Sequence, residues 1–323
     1  MAFYIGCDLG GTNLRAAVVD IQEGSVLTQK SVPTLAREGH ASVMKRMAEL
    51  ITHTVESAAL SPKDIAGVGI GVPGVLDMEK GETLFLPNLH GTWPHVPLRD
   101  TIYNLTGFPT ALLNDARSIT YGEWKFGAGK GVDTIALLAI GTGVGGGLVI
   151  NGRLHLGIGG TAGELGHMTI DYNGPRCGCG NYGCLEAFAS GPAIAAMGMK
   201  AVVQGLTTRI GEMCQYDLNR ITPALITQAA EEGDAIAIDI YRQAGYFFGV
   251  AASILCASIS PRRIIVTGGV AKAGKLLLEP MDKTMRERVF IMPVDQVQIV
   301  PGELGDNAGV MGAACWAADQ LHV

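Results

Sequence analysis

The chain contains one local pattern twice, an apolar strand followed by a glycine-rich turn and a second strand. The first copy occupies residues 3–19, with the turn at residues 8–12. The second copy occupies residues 134–150, with the glycines at residues 141–147 and the returning strand expected at residues 148–150. The copies lie about 130 residues apart, and repetition of a structural unit indicates two domains built on one plan.

Alternating helices and strands are predicted after each of these hairpins. The helical segments are residues 40–60, 116–126, 223–232, 235–258 and 308–320, and the strands are residues 65–72, 111–113 and 264–266. Such alternation is typical of α/β folds, with mostly parallel sheets and helices on both faces. A length of 323 residues is sufficient for two such domains. We expect a smaller domain of residues 1–118 plus 308–323, to which the last helix returns, and a larger one of residues 119–307.

The charge and the cysteines argue against several classes of protein. A net charge of −6, with no basic run longer than two residues, argues against nucleic acid or an anionic membrane as partner. The N-terminal residues lack the features of a signal peptide, and the longest apolar run, residues 246–259, is too short to span a bilayer. Four cysteines occur in apolar segments and are predicted to be buried free thiols, which fits a cytoplasmic location: Cys7, Cys214, Cys256 and Cys315.

The two glycine turns are candidate phosphate-binding loops. Gly141, Gly143 and Gly146 have the spacing of a dinucleotide-binding fingerprint, but a strand is expected after them where that motif requires a helix. No GxxxxGK[ST] sequence occurs, so a P-loop is also excluded. A glycine hairpin can instead present exposed N–H groups to a polyphosphate, and Asp8 is suited to a water-bound Mg²⁺ ion. The alternative is a pair of ordinary hairpin turns.

A cluster of metal-binding residue types follows the second hairpin. Three cysteines and one histidine lie within eighteen positions of one another: His167, Cys177, Cys179 and Cys184. This set is suited to tetrahedral zinc. Glu164 and Glu186 accompany it, and in one helical turn Glu164 and His167 would point into the same space. Two hypotheses remain, a structural zinc knuckle with two solvated glutamates and a metal clip that places acids around a pocket.

Asn114 and Asp115 lie between a short apolar strand and a helical segment. Ligands of parallel sheets collect at the carboxyl ends of strands, where this pair is expected. Phosphoryl transfer to an alcohol requires one carboxylate to accept the hydroxyl proton, which is a role suited to Asp115. The alternative is an Asn-Asp helix cap without a catalytic role.

Taken together, these motifs resemble the ROK family of sugar kinases, within the clan of actin-like and hexokinase-like ATPases. The matching segments, in chain order, are DLGGTNLR, GVPG, LNDA, GTGVGGG, GELGH, CGCGNYGCLE, TGGV and LGDNAGVMGAA. The combination of ExGH with CxCGxxGCxE is highly specific to that family. The resemblance implies two actin-like (ribonuclease-H-like) α/β domains with a cleft between them.

The resemblance also implies a role for each motif residue. Asp115 would be the catalytic base. The sugar contacts would be Gly74, Asn88, Asn114, Asp115, Glu164, His167 and Glu186. A structural Zn²⁺ would be held by His167, Cys177, Cys179 and Cys184. Mg²⁺ and the phosphates of ATP would lie near Asp8, Gly10, Gly11, Thr12, Thr142 and Gly143, and the adenosine near Gly268 and Gly269. One departure is Thr267, which replaces the first of three consecutive glycines common in relatives.

The resulting expectation is an ATP- and Mg²⁺-dependent hexose kinase that phosphorylates glucose at O6. Kinases for N-acetylmannosamine, N-acetylglucosamine, allose, mannose and fructose share every motif, and discrimination depends on the loop at residues 87–93. A sugar sensor or transcriptional regulator is disfavoured, because no helix-turn-helix segment precedes the first glycine turn. Polyphosphate in place of ATP is also disfavoured, because no basic track is present. Similar enzymes are often homodimers or homotetramers, so the resemblance implies a homo-oligomer.

Overall fold

The computed structural model describes residues 3–87 and 89–321, and the first half of the chain forms a five-stranded sheet. Its strands and an additional short hairpin are, in chain order, β1 (Phe3–Leu9), β2 (Asn13–Asp20), β3 (Ser25–Pro33), β4 (Ile65–Val72), β5 (Val75–Asp77), β6 (Glu82–Phe85) and β7 (Thr110–Asn114). The sheet order is β3-β2-β1-β4-β7, and β5 pairs with β6. The antiparallel hairpin β1–β2 adjoins the parallel strands β4 and β7.

The second half forms a sheet with the same arrangement. Its strands are β8 (Ile135–Ile140), β9 (Val144–Ile150), β10 (Arg153–Leu154), β11 (Arg263–Thr267) and β12 (Gln298–Pro301). The order is β10-β9-β8-β11-β12, with β8 and β9 antiparallel and β8, β11 and β12 parallel. The predicted repetition of one plan in two halves is therefore confirmed.

Several of the helices begin at residues whose side chains accept hydrogen bonds from the first backbone N–H groups. The helices are α1 (His40–Ser57), α2 (Leu98–Thr106), α3 (Asp115–Phe126), α4 (Leu185–Ala189), α5 (Gly191–Val203), α6 (Arg209–Met213), α7 (Pro223–Glu231), α8 (Ala235–Ile259), α9 (Lys275–Arg288) and α10 (Ala308–Leu321). The side chains of Asn114, Ser190, Thr222 and Asp234 cap α3, α5, α7 and α8. Within the described ranges, no helix is both long and apolar enough to cross a membrane.

Buried side chains of the first sheet alternate between its two faces. Ile5 packs in the cluster that includes Val43 and Met47 of α1, whereas Tyr4 packs in the cluster that includes Val310 of α10. The last helix thus returns to the first sheet, as its small residues predicted. The contact is close, because a Cβ atom at Gly6 would lie 1.7 Å from the carbonyl oxygen of Val310. The exact limits of the two domains stay a prediction.

The limits of two predicted elements differ most from those in the structure. The helix expected over residues 40–60 ends at Ser57. The strand expected at residues 148–150 already begins at Val144, so most of the glycine run belongs to β9. The glycines permit α3 to pack closely against the sheet, since a Cβ atom at Gly147 would lie 2.3 Å from Oγ1 of Thr120 on α3. Because β8 and β9 form an antiparallel hairpin, the structure agrees with the exclusion of a dinucleotide-binding fingerprint.

Candidate active site

Most of the predicted sugar-binding side chains line one cavity. This cavity, which we call the sugar cavity, has a volume of about 430 Å³, within the usual range for small-molecule sites. Its lining includes Gly74, Asn114, Asp115, Thr142, Gly143, Glu164, His167, Glu186 and Gly268. Asn88 lies outside the described residues. The fold therefore assembles residues from both halves of the chain around one space.

Asp115 is the first residue of α3 and follows the last residue of β7. Its Oδ1 accepts a hydrogen bond from the backbone N–H of Ala116 at 2.8 Å. Burial raises the pKa of this carboxyl group, and Glu164 raises it further, whereas the Ala116 N–H and Arg117 oppose the rise. A partly buried carboxylate with a raised pKa is suited to accept a proton near neutral pH.

The Asn114 side chain is held in one orientation. Its Oδ1 accepts hydrogen bonds from the backbone N–H groups of Ala116 (3.0 Å) and Arg117 (3.3 Å), and its Nδ2 donates to the Gly74 carbonyl oxygen at 3.0 Å. The helix-cap role that the sequence left open is thus present. Asn114 also lines the sugar cavity, so one residue both caps α3 and forms part of the cavity wall.

Arg117 is a site residue that the sequence analysis missed. Its side chain is only 2% exposed, and its Nη1 contacts Glu164 Oε1 at 2.8 Å and Asn114 Oδ1 at 3.0 Å. Its Nε and Nη2 donate to the carbonyl oxygens of Ala162 (2.8 Å) and Thr161 (2.9 Å). A cation in the first turn of a helix is disfavoured by the helix dipole, and this was the signal available in the sequence. Arg117 connects α3 to the segment that carries Glu164.

Glu186 lies between the cysteine cluster and the second glycine turn. Its Oε2 accepts a hydrogen bond from the Val144 backbone N–H at 2.8 Å, and its Oε1 lies 3.8 Å from Cys177 Sγ. A Cβ atom at Gly143 would lie 2.4 Å from Glu186 Oε2, so a side chain there would displace the carboxylate. This contact favours glycine at position 143 independently of any phosphate, because glycine leaves the Glu186 carboxylate in its place.

The four candidate zinc ligands converge in space. One donor atom from each of His167, Cys177, Cys179 and Cys184 lies within 4.8 Å of the others. Cys177 Sγ is 3.7 Å from His167 Nδ1, and Cys179 Sγ is 3.7 Å from Cys184 Sγ. Tetrahedral zinc with Zn–S bonds of ~2.3 Å separates its sulfur ligands by about 3.8 Å. The residues therefore fit a tetrahedral zinc ion.

Glu164 and His167 differ in detail from their predicted arrangement. The residues Leu165–His167 form a single 3₁₀ turn that Glu164 precedes, instead of sharing one α-helical turn with it. The chain turns at this point because the His167 N–H donates to the Glu164 carbonyl oxygen at 3.0 Å. Both side chains nevertheless line the sugar cavity.

A second cavity of about 360 Å³, which we call the nucleotide cavity, adjoins the first. Ile119, Ala139 and Gly268 line both cavities. The lining of the nucleotide cavity also includes Asp8, Arg15, Thr267, Gly269, Lys272, Gly302, Gly305 and Asp306. Gly10, Gly11 and Thr12 form the turn between β1 and β2, outside the lining of both cavities.

Asp8 of the nucleotide cavity and Asp115 of the sugar cavity are close enough to influence each other. Burial raises the pKa of Asp8 to about 6, the negative charge of Asp115 contributes to the rise, and Arg15 opposes it. Arg15 is paired with Asp8 across the β1–β2 ladder. Two partly buried carboxylates, one in each of two adjoining cavities, form an environment that favours a cation.

Glycine is required at position 268, where the two cavities meet. Its φ angle is 95°, and a Cβ atom there would lie 2.4 Å from the Ile140 carbonyl oxygen. The preceding Thr267, which departs from the expected glycine, is the last residue of β11 and lines the nucleotide cavity. The cavity is therefore formed with a threonine at that position.

Comparison with known proteins agrees with this arrangement. The model of the ROK family matches residues 4–320 of the chain. The chain belongs to the ROK family. A glucokinase of Thermotoga maritima is 36% identical over 318 residues, which cover 96% of this chain and 95% of the relative. A xylose repressor of Caldicellulosiruptor bescii is 32% identical over 308 residues, which cover 95% of this chain and 76% of the repressor.

A solved structure of a ROK family member also matches the whole fold. It is a ROK family glucokinase from Streptomyces griseus in complex with glucose and AMPPNP, with a TM-score of 0.84 and 32% identity. The match covers 98% of this chain and 100% of the other. The predicted α/β fold with two actin-like domains is confirmed.

Proposed function

We propose that this ROK protein transfers the γ-phosphoryl group of ATP to O6 of glucose. The observation that carries the proposal is the pair of adjoining cavities, with Asp115 in one and Asp8 in the other. A sugar hydroxyl in the first cavity can face the phosphates of a nucleotide in the second. The glucokinase relatives support the same reaction.

In the proposed reaction, the oxygen of the sugar hydroxyl forms a bond to the γ-phosphorus of ATP. Asp115 accepts the proton that this hydroxyl loses. The bond between that phosphorus and the β,γ-bridging oxygen breaks, and ADP leaves with the bonding electrons. The backbone N–H of Ala116 holds the Asp115 carboxylate for this role, and the charge of Arg117 lowers its pKa. Mg²⁺, held near Asp8, would neutralise charge on the phosphates.

We also propose how the sugar is recognised. Arg117 engages one oxygen of Glu164, and the Val144 N–H engages one oxygen of Glu186. The second oxygen of each carboxylate can then accept a hydrogen bond from a sugar hydroxyl. Asn114 has one amide N–H beyond the one given to Gly74, and it can donate to a sugar oxygen. Such a set is suited to a ligand that carries several free hydroxyl groups.

Zinc has a structural role in this proposal. His167 Nδ1 faces Cys177, so the histidine can bind zinc through Nδ1 and contact the sugar through Nε2. Four protein ligands leave no open position for a reacting group. The metal would hold the loop that carries Glu186 against the glycine turn. We further propose a cytoplasmic location and a homo-oligomeric state. Light scattering can measure the oligomeric state.

The experiment that tests the proposal is ADP production from Mg-ATP with a panel of sugars. The panel contains glucose, mannose, fructose, allose, N-acetylglucosamine and N-acetylmannosamine, and kcat/KM is compared across it. Coupling to glucose-6-phosphate dehydrogenase identifies O6 as the acceptor, and polyphosphate replaces ATP in a parallel assay. A preference for another sugar would correct the substrate. Absence of turnover in zinc-loaded protein would refute the kinase and favour a sugar-responsive regulator, the class of the xylose repressor relative.

A further inference from the structure

Glu123, on α3, is a completely buried carboxylate without a cationic partner among the described residues. Its Oε2 accepts hydrogen bonds from the backbone N–H groups of Ala128 at 3.0 Å and Glu303 at 3.1 Å, and its Oε1 accepts from Leu304 at 2.9 Å. A buried carboxylate is costly unless such hydrogen bonds replace its water. The Glu123 contacts join parts of the chain that are 180 residues apart.

Two glycines are packed directly against this carboxylate. A Cβ atom at Gly127 would lie 2.2 Å from Glu123 Oε2, and one at Gly302 would lie 2.7 Å from Glu123 Oε1. The backbone on both sides therefore approaches Glu123 more closely than any other residue type would permit. The carboxylate is therefore in close contact with main chain on both sides.

The segment held by Glu123 is one wall of the nucleotide cavity. Pro301, Gly302, Gly305 and Asp306 line that cavity, and the Glu303 and Leu304 N–H groups bound by Glu123 lie between them. On the other side, Arg15 Nη1 donates to the Asp306 carbonyl oxygen at 3.4 Å. Glu123 thus fixes this wall, residues 301–306, to α3.

Helix α3 begins at Asp115 and contains Arg117 as well as Glu123. Arg117 holds the sugar-binding segment, and Glu123 holds the wall of the nucleotide cavity. We propose that Glu123 is a positioning residue that fixes the bound nucleotide relative to Asp115. This inference rests on the proposed kinase function, and it assigns to one buried carboxylate the alignment of the donor with the base.

The primary test is Glu123→Gln, which keeps the size of the side chain but replaces an acceptor with an amide NH₂. That NH₂ must face at least one of the backbone N–H groups that Glu123 now binds. We expect KM for ATP and the Kd of AMPPNP, measured by calorimetry, to rise about tenfold or more, with the Kd of glucose within about twofold of wild type. Removing a negative charge would by itself favour an anionic nucleotide, so weaker binding indicates lost positioning.

The matched comparison is Arg117→Lys on the same helix, for which the opposite pattern is expected. The single ammonium group of lysine cannot contact all four acceptors around the guanidinium. We therefore expect the Kd of glucose to rise and the Kd of AMPPNP to stay near that of the wild type. Wild-type turnover tests the kinase function itself. The two binding constants test the role of Glu123 even if turnover is absent.

A second variant perturbs the same contact from the side of the loop. Gly302→Ala keeps glutamate at position 123 but adds a methyl group whose ideal position lies 2.7 Å from its Oε1. This variant should also weaken the binding of AMPPNP selectively. Selective weakening in either folded variant supports the proposal. Absence of selective weakening from both variants, or failure of both variants to fold, would show that Glu123 is structural only and would overturn the proposal.

Discussion

Replacing Arg117 by methionine should weaken sugar binding far more than nucleotide binding. The change removes four contacts while keeping an unbranched buried side chain. Glu164 is 47% exposed, so its ion pair with Arg117 contributes at most about 1 kcal/mol. The hydrogen bonds to the Thr161 and Ala162 carbonyl oxygens contribute about 2 kcal/mol together. If the sugar must reorder this segment on binding, the combined ~3 kcal/mol corresponds to a KM for glucose about a hundredfold higher.

The same variant has a second, independent signature in the pH profile. Arg117 lowers the pKa of Asp115, so its removal lets that pKa rise further. A base is active when ionised, and the acidic limb of kcat/KM should therefore move to higher pH in Arg117→Met. The assay is the coupled kinase reaction with glucose and ATP varied separately across pH.

The matched control is Arg242→Met, which removes an exposed arginine paired with Asp239. Exposed pairs of this kind contribute little, so both KM values and the pH profile should stay those of the wild type. A KM for glucose within threefold of wild type in Arg117→Met, with an unmoved acidic limb, would refute the role assigned to Arg117.

Four further predictions address the base, the metal sites and the pH dependence. Asp115→Asn should lower kcat by ~10²- to 10⁴-fold while calorimetry still detects glucose binding; undiminished turnover would exclude Asp115 as the base. Cys179→Ser should reduce zinc content, measured by elemental analysis, and raise KM for the sugar; absence of zinc from wild-type protein would contradict the metal assignment. Asp8→Asn should raise the Mg²⁺ concentration needed for half-maximal activity, and an unchanged requirement would remove Asp8 from the Mg²⁺ site. Wild-type kcat/KM should fall as the pH is lowered through the pKa of Asp115, which burial raises above that of an ordinary aspartate, and full activity down to about pH 4 would contradict this.

The sequence by itself determined the features that depend on local pattern. The hairpins, the cap at Asn114 and the clustering of His167 with the cysteines follow from residue types at short spacing. The likeness of the two sheets follows from repetition of one plan, whereas the order of their strands was not predicted. These features are readable because turn residues, periodicity and ligand spacing act within a few positions of the chain.

Only the tertiary structure decided which buried charges serve the site. Arg117 contacts a carbonyl 45 positions away, and Glu123 contacts an N–H 180 positions away. In the sequence Glu123 looks like an ordinary position of an amphipathic helix, and only the place of Arg117 in the first turn of α3 is unusual. Local pattern also did not show that β9 begins at Val144, inside the glycine run, where Gly147 packs against Thr120 of α3. Such partners are brought together by the sheets and by α10, and local sequence carries no signal of them, because burial and hydrogen bonding at these positions depend on distant segments.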